Sequence, residues 1–206
     1  MRIITISREF GSGGRELGRR LAEHLGFDYY DREIITAIAA ERGLDEKFVE
    51  TAIDNEGWKN VPVTFRQSFA SAAVLQVPST ELLVAQKNAI ERIAATGRDC
   101  VIVGRNADVF LADYEPFHIF VCADTETKVR RCLERAEEGE KLSRRQIEGK
   151  MRRIDRNRAK TRDLLTGSRW GIRGSYHLIV DTGEWEIKEL TPAVAEFALR
   201  WFGRTK

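Results

Sequence analysis

A short apolar run, Ile3-Ile4-Thr5-Ile6, leads directly into Ser7-Arg8-Glu9-Phe10-Gly11-Ser12-Gly13-Gly14-Arg15-Glu16-Leu17, where three glycines fall within four positions and an amphipathic pattern begins. This layout restricts the fold more than any other stretch. Glycines here let backbone N–H groups turn toward one anion, and a helix starting there aims the positive end of its dipole at the same spot. The expected guest is a nucleotide phosphate.

Set against GxxxxGK[ST], the segment carries Glu9 for the first glycine, Arg15 for the lysine and Glu16 for the hydroxyl residue that holds magnesium. Arg15 keeps a permanent charge, and its planar fork suits phosphate oxygens. Glu16 has three readings: a metal ligand, direct or through water; a residue that leaves that task to Ser12 or another side chain; or a favourable acid in the first helical turn. The last is preferred. Gly11-Ser12-Gly13 also opens like the dinucleotide fingerprint, with Asp31 at a distance suited to a ribose, but Glu16 stands where the third glycine belongs. An ordinary glycine turn is the remaining alternative.

Five apolar segments read as buried strands: Ile3 to Ile6, Phe27 to Tyr30, Cys100 to Val103, His118 to Cys122 and Tyr176 to Val180. Helical patterns separate them. They run through Leu17 to Leu25 with a stop at Gly26, through Ile34 to Ala39 with a stop near Gly43, and from Ser79 or Thr80 to Gly97. A further helix follows Asp124, and the last spans Thr191 to Phe202 with Pro192 in its first turn. Strands of this kind alternating with helices predict an α/β fold with a parallel sheet covered on both faces. Leu44 to Pro78 and Glu137 to Gly174 break the rhythm and read as excursions over the sheet's ligand edge. In the second, Ser143 and Gln146 form a capping box that predicts a helix through Ile147, Met151 and Ile154.

With 206 residues and no bilayer-length apolar run or secretory-type series, the chain is expected to be one soluble, cytoplasmic domain that does not engage a membrane. Cys100, Cys122 and Cys132 form no CxxC pair, and the three histidines lack ligand spacing, which argues against a structural zinc site. Net charge is only +2, yet twelve lysines and arginines crowd Lys141 to Arg173. That crowding reads either as a local polyanion site or as a solvated helix face offset by Glu148, Asp155 and Asp163.

The order of these features resembles the cytidylate kinase-like branch of the P-loop nucleoside monophosphate kinases. Four blocks carry the resemblance: Ser7 to Leu17, Tyr30-Asp31-Arg32, Val103-Gly104-Arg105 and Asp155-Arg156-Asn157-Arg158-Ala159. The last is similar to the DRNRA run of cytidylate kinase lids. The resemblance implies a P-loop NTPase-type fold: a five-stranded parallel sheet flanked by helices, with a monophosphate-binding insertion and a lid. It places the core at about residues 1–30, 79–136 and 175–206, the first insertion at about 31–78 and the lid at about 137–174. Asn106 departs from the family's GRD motif, with Asp108 two positions on, and Thr161 to Gly167 departs from the usual end of the lid.

The implied activity is ATP- and magnesium-dependent transfer to a nucleoside monophosphate, CMP or dCMP first, or to another small phosphate-bearing acceptor. The expected donor contacts are Gly11, Ser12, Gly13, Gly14, Arg15 and Glu16, with Asp31, Arg105 and Asn106 on the acceptor side. Arg15, Arg152, Arg156 and Arg158 would spread the transferring charge, with Asp155 orienting one of them. Asp31 reads equally as the N-cap of the following helix. Arg105 reads also as a surface ion pair, but its place beyond a strand's C-terminal end favours ligand. Tyr176 and Trp170 read as packing residues. A nucleotide-binding regulator without turnover is the alternative function. An RNA-binding module is a third, but no nucleic-acid partner is expected because no RNA-binding motif accompanies the basic region.

Overall fold

The computed structural model describes residues 1–46, 49, 79–135 and 143–204. Five strands form one wholly parallel sheet: β1 (Ile3–Arg8), β2 (Asp28–Tyr30), β3 (Cys100–Val103), β4 (Phe117–Cys122) and β5 (Leu178–Asp181). Their order is β2-β3-β1-β4-β5. The first strand is therefore central. The chain crosses from one side of β1 to the other between β3 and β4, so the loop leaving β1 emerges where α/β ligands gather.

Alternating side chains explain why both faces are covered. From β1 and β3, Ile3, Cys100 and Ile102 pack under helices α2 (Arg32–Arg42) and α3 (Ser79–Ala95), against Ile34, Ile38, Leu82 and Ile90. Ile4, Ile6, Val101 and Val103 point the other way, onto Leu17 and Leu21 of α1 (Gly14–Leu25) and Val194 and Ala198 of α7 (Ile187–Phe202). Each fully buried isoleucine contributes about 1.5–3 kcal/mol, enough to fix the register of so short a strand.

The remaining helices are the one-turn α4 (Ala107–Phe110), α5 (Thr125–Glu134) and the long α6 (Arg144–Thr166). Asp124 caps α5 by accepting from the Thr127 N–H at 2.9 Å. The expected capping box of Ser143 and Gln146 opens α6, and Ile147, Met151 and Ile154 form its buried side. Phe120 packs on Trp170 and Tyr176 with ring centroids 5.1 and 4.9 Å apart, so both aromatics are packing residues as expected. Some boundaries differ from expectation: the last strand runs from Leu178 to Asp181 rather than from Tyr176 to Val180, and β1, β2 and β4 differ by one or two residues at an end. The last helix begins at Ile187 rather than Thr191, because Ile187 is buried against the loop and extends the helix backward, leaving Pro192 inside it.

The excursion expected over Leu44 to Pro78 lies, apart from residues 44–46 and 49, outside the described residues. Among the described residues, no helix is long and apolar enough to cross a membrane.

Candidate functional site

Arg8 ends β1, and α1 begins six residues later at Gly14. Gly13 turns the chain into the helix with φ of 82°, and a Cβ there would stand 2.7 Å from Ile187 Cδ1. Only glycine satisfies both conditions. The first bond into the helix runs from Leu17 N–H to the Gly13 carbonyl at 2.9 Å, and the N–H groups of Gly13, Gly14, Arg15 and Glu16 meet no acceptor among the described residues. Four open donors at a helix N-terminus make an anion cradle.

Distant residues hold the loop in shape. Asp155 Oδ1 accepts the Phe10 N–H at 2.9 Å. The Ser12 carbonyl accepts from Thr182 Oγ1 at 2.6 Å and from Arg131 Nη1 at 3.1 Å. The Ser12 hydroxyl donates to the Glu9 carbonyl at 2.9 Å. Glu16 sits in the first turn of α1 and is bridged by Arg20 at 3.0 Å and Arg135 at 2.7 Å. Its reading as a first-turn acid fits this placement.

Asp31 gathers the cations on the other flank. Its side chain is 3% exposed, pairs with Arg15 Nε, and has Arg8 Nη2 3.8 Å from Oδ1. That oxygen accepts no hydrogen bond. Asp31 precedes α2 but makes no side-chain cap bond, so of its two readings the cap is not realised. Burial, then the charge of Arg158, push the Arg8 guanidinium down to about 9; Asp31 opposes this, while Arg105 and Arg15 add to it. Arg158, Arg105 and Arg15 thus gather around Arg8, with the Asp31 carboxylate paired to Arg15 and near Arg8, and the cations outnumber the acids there, leaving excess positive charge for an anion.

The backbone after β3 is shaped for this approach. Gly104, Arg105 and Asn106 take positive φ in succession, at 75°, 60° and 53°. For the two side-chain-bearing residues this costs of order 1 kcal/mol each. The Gln86 carboxamide holds the turn by donating to the Arg105 carbonyl at 2.7 Å. A Cβ on Gly104 would overlap the Arg8 guanidinium. Arg105 is 7% exposed and so does not lie at the surface, and Asn106 precedes α4 half-buried.

Helix α6 reaches the loop along one face. Ile147 and Met151 pack on Val129 together with Phe10 and Cys132. One to two turns on, Asp155 and Arg158 join at 3.0 Å, and Arg158 Nη1 also donates to the Arg8 carbonyl at 2.9 Å. Arg152 and Arg156 are on the exposed side, with Arg152 3.6 Å from Glu148. The structure therefore brings Asp155 and Arg158 to the loop and leaves Arg152 and Arg156 facing solvent. Asp108 pairs with the buried Arg162 and is not aimed at the loop.

Beside the Glu16 end of the loop lies a cavity of about 890 Å³ lined by Glu16, Asp124, Arg131, Arg135, Trp185 and Glu186, among others. Its size suits a nucleoside. Among the described residues, no three His, Cys, Asp or Glu side chains cluster to hold a metal. A magnesium ion arriving on phosphates needs only one or two carboxylates, and the Asp31 carboxylate, buried between Arg8 and Arg15, is not placed to supply one.

An open-amide glycine loop at the end of a central parallel strand defines a fold of the P-loop kinase type. The chain belongs to the cytidylate kinase-like family, which it matches over residues 3–184. No curated protein matches it. Among solved structures, an uncharacterized protein from Eubacterium ventriosum is similar at 24% identity and a TM-score of 0.68, with 96% of this chain and 98% of that one covered. Shikimate kinase from Acinetobacter baumannii, in complex with shikimate, shares the fold at 15% identity and a TM-score of 0.56, covering 100% and 96% of the two chains. A sugar kinase from a Janibacter species does so at 12% identity and a TM-score of 0.53, covering 98% and 95%.

Sequence reasoning missed Arg8, Lys128, Arg131 and Arg135. Arg131 and Arg135 carried a signal in their four-residue spacing behind the Asp124 cap, which puts both on one helix face. Arg8 and Lys128 carried none.

Proposed function

We propose that this protein is an ATP- and magnesium-dependent phosphotransferase that moves the γ-phosphate to a nucleoside monophosphate, CMP or dCMP first, or to another small phosphate-bearing acceptor. The open N–H groups of Gly13 to Glu16, facing a convergence of Arg8, Arg15, Arg105 and Arg158, carry this reading. Phosphoryl transfer asks the protein for alignment and charge stabilisation more than for covalent help, and this set offers both.

In this reading the amides of Gly13 to Glu16 hold the donor phosphates, the Ser12 N–H being turned instead to the Glu9 carbonyl at 3.4 Å, and the cavity beside Glu16 takes the donor nucleoside. Arg105 and Asn106 bind the acceptor phosphate, and Asp31 holds Arg15 and Arg8 on that acceptor flank. The segment at about residues 137–174 is a lid whose Asp155 orients Arg158, and about 31–78 is the acceptor-binding insertion. Arg152 and Arg156 contribute only if α6 turns as the lid moves.

The decisive experiment mixes purified protein, ATP and magnesium with a panel of nucleoside monophosphates and small phosphorylated metabolites, and follows product. Saturable ATP binding with no product from any acceptor would defeat the enzyme reading. It would favour a nucleotide-binding regulator, which the engagement of Glu16 and Ser12 within the protein supports.

A further inference from the structure

We infer that Lys128 supplies the compact positive charge that residue 15 does not, binding the donor's terminal phosphate when Glu9 releases it; the inference rests on the phosphotransferase reading.

The side chain at the motif's lysine position is turned elsewhere. Arg15 is 54% exposed and engaged through its Nε with Asp31. Its guanidinium lies on the acceptor flank, not across the loop. The amides of Gly13 to Glu16 are thus left without an ammonium of their own.

Lys128 stands on the other side of the same loop. It is the only buried lysine among the described residues, with its side chain 11% exposed. Lysine is seldom buried without a partner or a task. It rises from the first turns of α5 directly under the loop: its carbonyl oxygen and Cβ lie 3.1 and 3.2 Å from where a Gly11 Cβ would be. Its Nζ is held at 2.7 Å by Glu9 Oε2. Two departures from the usual motif are therefore linked, because the acid at the first-glycine position grips a lysine brought in from another helix.

The surroundings identify the phosphate. Asp155, which takes the Phe10 N–H and meets Arg158, also feels the charges of Glu9 and Lys128. Lys128, Asp155 and Arg158 therefore meet near the Phe10–Gly11 end of the loop, while the cavity reaches it at Glu16. A triphosphate running from the cavity along the open amides brings its last phosphate toward that far end. The Glu9 and Asp155 carboxylates line this ground, and an incoming phosphate competes with Glu9 for the ammonium.

A purely structural role, with the Glu9–Lys128 pair only fastening loop to helix, makes a different prediction. The test is ATP and ADP affinity, measured by calorimetry, for the wild type, Lys128→Met, Glu9→Gln and the double variant. A terminal-phosphate contact requires Lys128→Met to lose about tenfold or more of ATP affinity with little change for ADP. Glu9→Gln, by freeing the ammonium, tightens ATP. The double variant removes the stranded carboxylate and so guards against misfolding of the single one; it must keep the reduced ATP-to-ADP ratio. An unchanged ratio in Lys128→Met, or a ratio restored in the double variant, overturns the inference. If the wild type binds ATP and transfers phosphate while Lys128→Met keeps the ratio, this inference alone falls. If the wild type binds neither nucleotide, the phosphotransferase reading falls with it.

Discussion

Arg158 donates from Nη1 to the carbonyl oxygen of Arg8 at 2.9 Å, joining residues 150 positions apart. That bond ties helix α6 to the end of the central strand just before the loop begins. In the proposed phosphoryl transfer, a cation so placed would act on charge that develops between donor and acceptor, so its removal would be felt in the transition state more than in ground-state binding.

Arg158→Ala is therefore expected to lower kcat by about a hundredfold with a much smaller change in KM. Steady-state kinetics on the acceptor found in the screen check this. A rise in KM at constant kcat would show that Arg158 contributes only to uniform binding.

Gly104→Ala is expected to cost about 1–3 kcal/mol. The new methyl meets a φ of 75° and the Arg8 guanidinium together. Urea unfolding measures the loss, and the nucleotide affinity of the folded fraction reports whether Arg8 has moved. Wild-type values of both would remove Gly104 from the argument.

Arg162→Met leaves Asp108 buried without its partner and should destabilise by about 3–5 kcal/mol. Adding Asp108→Asn should recover much of that loss, because the stranded charge disappears. Calorimetric melting of the two variants decides the matter, and equal melting temperatures would mean that the charge is not the cause.

Acid sensitivity should come partly from His118. Burial pushes its imidazole down to about 4, with Asp108 opposing and His177 and Arg162 reinforcing the fall. A base with a lowered folded-state pKa is neutral when folded but charged when unfolded, so its contribution is present above its ordinary value of 6.5 and lost as pH falls toward about 4. His177 shifts in the same direction, again through burial. His118→Gln retains a polar partner for Thr5 and removes the titration, so melting temperature should fall less between pH 6.5 and 4 than in the wild type. Identical profiles would refute the assignment.

The sheet was legible because its strands are apolar runs: Cys100 to Val103 and Ile3 to Ile6 read as buried on both faces and are, whereas β2 and β5, also read as buried, lie at the sheet edges and are only partly covered. Helix ends were legible where chemistry marks them, as at Gly26, Gly43 and the Ser143–Gln146 box. Glu186 and Ile187 carry no such mark, and the start of the last helix was placed too late. In the basic helix the arginines look alike as letters. Only the seating of Ile147 and Met151 beside Phe10 decides that Asp155 and Arg158 face inward while Arg152 and Arg156 do not. Arg8 and Lys128 acquire meaning from Gly104, Asp31 and Glu9, neighbours that no local pattern brings together.

The loop's shape is borrowed from the rest of the molecule: Phe10 leans on Asp155, Ser12 on Thr182 and Arg131, and Glu9 on Lys128. A synthetic peptide spelling Ser7 to Leu17 would carry every glycine and yet lack each of these props. Grafting that stretch into an unrelated scaffold would transplant its letters and leave its architecture behind.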